Sequence, residues 1–180
     1  MKVKCGVLLL GIALAATAQS WATTLPGACG DDKVQFDVKT TKHQPAPAPP
    51  AEGKAQIIFV ENFAQNAGTC IGCKVTTRVG IDGAWVGANR GNSYFAYTVE
   101  PGEHHLCAGW QSVFQRLKKK VGLASLNAEA GKVYYYQIKV RMLANDEMGM
   151  EKDLELAPLD EDQGKYLVKT TALATATHKK

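Results

Sequence analysis

The chain has 180 residues, 46% of them hydrophobic, 21% charged and 8% aromatic, and its formal net charge is +4. These values suit one globular domain of ordinary size and exclude a collagen, a coiled coil and a wholly disordered chain. They also exclude a multi-spanning membrane protein, because the one long apolar run is confined to the N-terminus.

That run opens the chain. Lys2 and Lys4 precede Gly6 to Ala18, an apolar stretch that is followed by Gln19-Ser20-Trp21-Ala22. A positive start, a short apolar core and the small residues Ser20 and Ala22 define a secretory signal peptide over 1–22, with a cut after Ala18 as the second choice. The core is too short for a permanent membrane helix. Cleavage removes two lysines, so the net charge falls from +4 to +2, too little to argue for nucleic acid. The expected location is therefore periplasmic or secreted, with no stable membrane span after cleavage.

Residues 23–53 read as a flexible tail and spacer. Thr23 to Lys42 is polar with little periodicity, and His43 to Gly53 is rich in proline, which favours an extended, semi-rigid polyproline II segment. From Lys54 the pattern becomes strand-like. Ala55 to Val60 is one strand. Val75, Thr77, Val79 and Ile81 alternate with polar residues and lead into Asp82-Gly83, a pair suited to a type I′ hairpin turn. That turn pairs Gly80 with Trp85 and Val79 with Val86, and puts Val79, Ile81, Ala84 and Val86 on the core face. Trp85 then lies on the opposite face over Gly80, near Arg78, where an aromatic-on-glycine contact and a cation–π contact are expected.

Ala88 to Asn92 reads as a tight loop. Tyr94 to Val99 and His104 to Ala108 are further strands around a Glu100-Pro101-Gly102 turn. If these two strands form a hairpin, Phe95, Tyr97, Val99, Leu106 and Ala108 share the core face, while His105 and Cys107 lie outside. Arg116 to Lys120 is a basic run between strands. Leu123 to Ala128 and Val133 to Met142 read as another hairpin, with Tyr134, Tyr136, Ile138, Val140 and Met142 in the core and Tyr135 at the surface. Asp153 to Leu156 is a last strand. Asp160 caps a short helix that runs to about Lys169, with Glu161 and Asp162 at its positive end. The fold expected is mainly β: a single antiparallel β-sandwich over 54–158, followed by a short helix and flexible tail over 159–180.

Four cysteines remain after cleavage, Cys29, Cys70, Cys73 and Cys107. In an exported chain an even number points to disulfides, and four allow three pairings. A bond from Cys29 would tie the tail back across the spacer. A bond from Cys107 would pin a covering segment on the outside of the sheet, and the Cys70–Cys73 loop is the segment expected there. The alternative is a zinc or thiol-redox site. Cys70-x-x-Cys73 with His104-x-x-Cys107 has zinc-like spacing, but alternation along a strand puts His105, not His104, on the face of Cys107. The alternative ligand set is thus Cys70, Cys73, His105 and Cys107. A redox C-x-x-C belongs at a helix start after a strand, whereas here a strand pattern follows it.

Gly80-Ile81-Asp82-Gly83-Ala84-Trp85-Val86-Gly87, Asn92-Ser93-Tyr94-Phe95, Pro101-Gly102-Glu103-His104 and Gly131-Lys132-Val133-Tyr134-Tyr135-Tyr136 resemble an exported bacterial family of unknown function. The Asp-Gly…Val-Gly…Pro-Gly-Glu-His core is also similar to small β-sandwich modules of the PEGA type. The resemblance covers roughly 54–158 and rests on turns and strand edges. It implies an envelope module and carries no catalytic residues.

No phosphate loop or dinucleotide fingerprint occurs, Asp160-Glu161-Asp162 read as helix-start acids, and no nucleophile is tied locally to His104 or His105. The expectation is a non-enzymatic module without a cofactor. It would bind or scaffold an envelope protein or a cell-wall or glycan component. Its candidate binding residues are Arg78, Trp85, Asn89, Arg90 and Asn92.

Overall fold

The computed structural model describes residues 27–62, 75–112, 120–145 and 149–180. The export segment, Cys70, Cys73, most of the basic run from Arg116 and the side chain of Met142 lie outside the described residues. The fold is a β-sandwich. A six-stranded sheet has the order β1-β10-β5-β2-β8-β9, and a four-stranded sheet the order β4-β3-β6-β7. The strands are β1 Phe36–Thr41, β2 Ala55–Glu61, β3 Thr76–Ile81, β4 Ala84–Arg90, β5 Ser93–Val99, β6 Gly102–Gln111, β7 Val121–Ala128, β8 Val133–Asn145, β9 Gly149–Leu159 and β10 Ala172–His178. One helix, α1 Glu161–Thr170, precedes β10. The smaller sheet is antiparallel throughout. The larger one is mixed, since β2 runs parallel to β8 and β10 parallel to β5.

Each strand expected between 54 and 158 is present, though β4 runs into the expected loop and β9 is longer than expected; two expected hairpins do not form. β5 and β6 belong to different sheets, so Glu100-Pro101 is a corner between layers. β7 and β8 are likewise split, and the turn at Gly131 (φ 78°) carries the chain across the sandwich. Alternation fixes which side of a strand is apolar, and that part held: Val99, Leu106 and Ala108 are in the interior and Cys107 faces outward. Alternation does not say which strand lies alongside. Tyr97 is on the expected face but is 37% exposed, because it lies near the rim.

The Asp82-Gly83 hairpin does form, with positive φ at both residues (50° and 84°). Gly80 pairs with Trp85 and Ile81 with Ala84 as expected, but Val79 pairs with Gly87. Val86 is the extra residue of a β-bulge, which re-aims the strand beyond it. Ala84, expected in the core, is exposed at the turn.

Two segments expected to be flexible, 36–41 and 172–178, are strands of the large sheet. β1 pairs along its whole length with β10, from Phe36–His178 to Thr41–Leu173. Each strand is short, and the residues it pairs with lie 132 to 142 positions away in sequence. Neither is therefore legible from local pattern.

Three apolar clusters hold the layers together. The interior one contains Ile57, Phe59, Val79, Leu106, Tyr136 and Ile138 among others. A second lies on the outer face of the large sheet, where Leu167 and Val168 of α1 cover Ile58, Val60, Tyr94 and Tyr135. A third lies outside the small sheet, where Cys29 and Phe36 meet Trp85, Ala88 and Cys107. β2 is buried on both faces, which explains its unbroken apolar run.

Candidate functional site

The face expected to bind ligand is closed. Residues 27–35 form a strap across the outside of the small sheet, pinned by a disulfide from Cys29 to Cys107. The segment held by Cys107 is therefore the N-terminal strap and not the Cys70–Cys73 loop. Trp85 is 5% exposed and its Nε1–H donates to the Asp31 carbonyl at 2.9 Å. Arg78 is 1% exposed; its guanidinium donates to the carbonyls of Asp32, Val34 and Trp110 and lies 4.3 Å from the Trp85 ring centroid. The aromatic-on-glycine and cation–π contacts are both present, and the same two side chains hold the strap by their hydrogen bonds. Burial lowers the Arg78 pKa, with Asp32 and Asp31 partly offsetting that effect. Asn89 belongs to β4, not to a loop. It is fully buried in the interior and donates to the Phe59 carbonyl at 3.0 Å. Only Arg90 and Asn92 are exposed, beside the turn that links the sheets. The five residues thus do not form one open surface.

The disulfide also bears on the zinc reading. Cys107 is bonded to Cys29, so its sulfur is not a thiolate ligand. His105 is exposed on the same strand.

An open site lies on the other side of the molecule. The proline-rich segment runs over the outer face of the large sheet, alongside α1, and a groove of about 830 Å³ lies between them. Each wall has a local cause. Gln44 to Pro50 contains four prolines and carries no turn or ladder; proline fixes φ and removes the N–H, so the segment cannot join the sheet as a strand. Gln56 Nε2 donates to the Ala48 carbonyl and tethers it. Gly53 (φ 74°) then turns the chain into β2.

The second wall is α1. Asp160 Oδ1 accepts from the Gln163 N–H at 2.8 Å, the N-cap expected from sequence. The helix presents Glu161, Lys165, Val168 and Lys169 to the groove, one face at i, i+4, i+7 and i+8. It sits close because Gly164 has no side chain: a Cβ there would lie 2.2 Å from Tyr135 Cγ. Tyr135, expected at the surface, is buried by this helix (8% exposed), and burial raises its hydroxyl pKa.

The floor is apolar, made by Ile58, Val133, Tyr135 and Val168. The rim is basic, with Lys132, Lys165 and Lys169 and the single acid Glu161. Lys165 Nζ lies 2.6 Å from Glu161 Oε1. That hydrogen bond raises the lysine pKa and lowers the carboxyl pKa. An apolar floor with a few polar groups at the edge is the usual make-up of a ligand site of this size. The sequence reading made the proline-rich wall a spacer and the other wall a short helix, with no binding role for either. The available signal was the helix pattern, in which Gly164, Leu167 and Val168 recur at i, i+3 and i+4 as a docking face.

Two polar clusters lie elsewhere in the fold. At a second, shallower cleft, His104 Nδ1 lies 2.6 Å from Asp82 Oδ2 and its Nε2 lies 2.8 Å from the Glu100 carbonyl. Asp82 Oδ1 also accepts from the His105 N–H. Burial disfavours the imidazolium, but Asp82 and the Glu100 carbonyl outweigh it and the His104 pKa is raised. In the interior, Glu61 is fully buried at the end of β2. Its Oε1 accepts from Thr77 Oγ1 at 3.0 Å, and its Oε2 has no hydrogen-bond partner among the described residues. Burial raises its pKa well above the ordinary value, against the smaller effect of Thr77. No group of three or more His, Cys, Asp or Glu among the described residues is placed to hold a metal ion.

Comparison with protein-family models, curated proteins and solved structures finds no match. Among the described residues no helix is long and apolar enough to cross a membrane.

Proposed function

We propose that this protein is an exported, non-enzymatic β-sandwich module that binds or scaffolds another component of the cell envelope, and that the groove between the proline-rich segment and α1 is where it binds. The groove carries this reading, because its size, apolar floor and basic rim are those of a recognition site. Export is supported by the apolar N-terminal segment and by the disulfide, a bond characteristic of oxidising compartments. A binding role is also supported by how the acid–base side chains are used. Both His104 ring nitrogens are engaged, and Glu61 is sealed in the core. The resemblance to exported envelope modules points the same way.

The test is site-specific photocrosslinking in the producing cells. A photoreactive phenylalanine analogue is placed at Ala48 or Lys165 in the groove, and at the exposed Leu123 on the other sheet as control. Discrete envelope adducts from the groove positions alone are the expected result. Equal adducts from Leu123, or none from the groove, refute the assignment.

A further inference from the structure

From the chemistry of its two walls we infer that the groove takes an extended, acidic peptide segment of a partner protein. This rests on the binding role proposed for the groove and specifies the occupant.

Shape argues for an extended chain. The helix wall spans Glu161 to Lys169, about 12 Å at 1.5 Å per residue. The proline wall spans residues 44–50, about 20 Å if it keeps polyproline II geometry throughout. Two rods side by side bound a trough, and the shorter one matches about four residues of extended peptide at 3.3 Å each.

Hydrogen bonding argues for a peptide. Four of the seven residues from Gln44 to Pro50 are prolines, so the wall offers seven carbonyls and only three N–H groups. One of those carbonyls, at Ala48, is already used by Gln56. Such a wall is matched by an occupant rich in N–H donors, which a peptide backbone supplies and a lipid chain does not.

Charge argues for acid. Among the described residues the groove carries three lysines against one glutamate; Glu161 and Lys165 pair with each other, which leaves the excess positive charge at Lys132 and Lys169. Lys165 and Lys169 lie one turn apart on the same helix face, and Lys132 stands at the turn before β8. Carboxylates spaced along an extended chain meet Lys132 and Lys169 while intervening apolar side chains rest on Val133, Tyr135 and Val168. Lysines that all sit on the rim, over an apolar floor, suit a segment with alternating acidic and apolar residues.

The test uses the purified full protein and dye-labelled eight-residue peptides read by fluorescence anisotropy. One peptide alternates glutamate and leucine, a second lysine and leucine, a third serine and leucine; a uronic-acid oligosaccharide is the fourth probe. Saturable binding of the glutamate peptide that weakens with salt is expected. Lys132→Glu and Lys169→Glu should each weaken it roughly fivefold or more. Both lysines are exposed, so circular dichroism should show an unchanged fold. Equal or tighter binding of the lysine or serine peptide, with photocrosslinks still at Ala48, overturns the acidic class and leaves the groove as the site. Tighter binding of the oligosaccharide overturns the peptide class. No saturable binding of any probe overturns the inference, and loss of the cellular crosslinks as well removes the binding role on which it rests.

Discussion

Removing the strap disulfide should destabilise the protein without undocking the strap. Cys29 and Cys107 are 78 residues apart, so the bond closes a long loop in the unfolded chain. The chain-entropy relation gives about 15 cal/mol/K for that loop, or about 4.5 kcal/mol at 25 °C. In the folded state the strap has other anchors: two carbonyls on Arg78, Asp31 on the Trp85 indole, and Ala28 accepting from the Gly83 N–H. Hydrogen bonds contribute about 0.5–1.5 kcal/mol each, more where a charge takes part, and β1 holds the far end of the strap through its ladder with β10. The Cys29→Ala/Cys107→Ala variant should therefore lose about 3–4.5 kcal/mol in urea unfolding, since engineered changes often fall short of the entropic limit. Its m-value should rise because the uncrosslinked denatured chain exposes more surface. The Trp85 indole N–H should stay protected from exchange under native conditions. A loss below about 1 kcal/mol would refute the entropic account. Exposure of Trp85 in the folded variant would show that the disulfide, rather than Arg78 and the ladder, keeps the strap in place.

Three further outcomes follow from the polar and packing contacts. Glu61 has a raised pKa, so the folded chain binds a proton that the unfolded chain releases above its ordinary value of 4.5. Stability should fall with rising pH by up to about 1.4 kcal/mol per unit until the folded group ionises, and Glu61→Gln should flatten the urea-midpoint curve between pH 5 and 8; parallel curves would sink this account. His104 also has a raised pKa, which gives linkage of the same sign in a higher window: its contribution is complete below 6.5 and is lost as pH rises through the folded value. The stability advantage over His104→Gln should shrink towards pH 9, and an advantage that grows would contradict the Asp82–His104–Glu100 contact. Gly164→Ala places a Cβ 2.2 Å from Tyr135 Cγ, in clash with the ring. It should cost about 1–3 kcal/mol by overpacking, in spite of alanine's helix preference of about 1 kcal/mol, and the cost should diminish in a Tyr135→Leu background.

Local chemistry determined much of this molecule. Alternation placed Val79, Ile81, Leu106, Tyr136 and Ile138 in the interior, because successive strand residues face opposite sides. Asp82-Gly83 formed its turn because both positions need positive φ, and Asp160 capped α1 because its side chain satisfies a free N–H. Even the Arg78–Trp85 contact followed from register two residues from a turn.

What the sequence left open depends on partners far along the chain. Whether Pro101 and Gly131 turn within a sheet or between sheets is set by where β2 and β3 already lie, not by the turn residues. The ordering of β1 and β10 requires segments 132 to 142 residues apart to meet. The roles of the two outer faces were decided in the same way. Trp85 and Tyr135 both point outward from their sheets, and alternation makes both surface residues. The strap covers one and α1 the other, because large apolar rings gain from leaving water wherever a segment is close enough to cover them. That tertiary choice closed the face expected to bind and left open the groove beside the proline-rich segment.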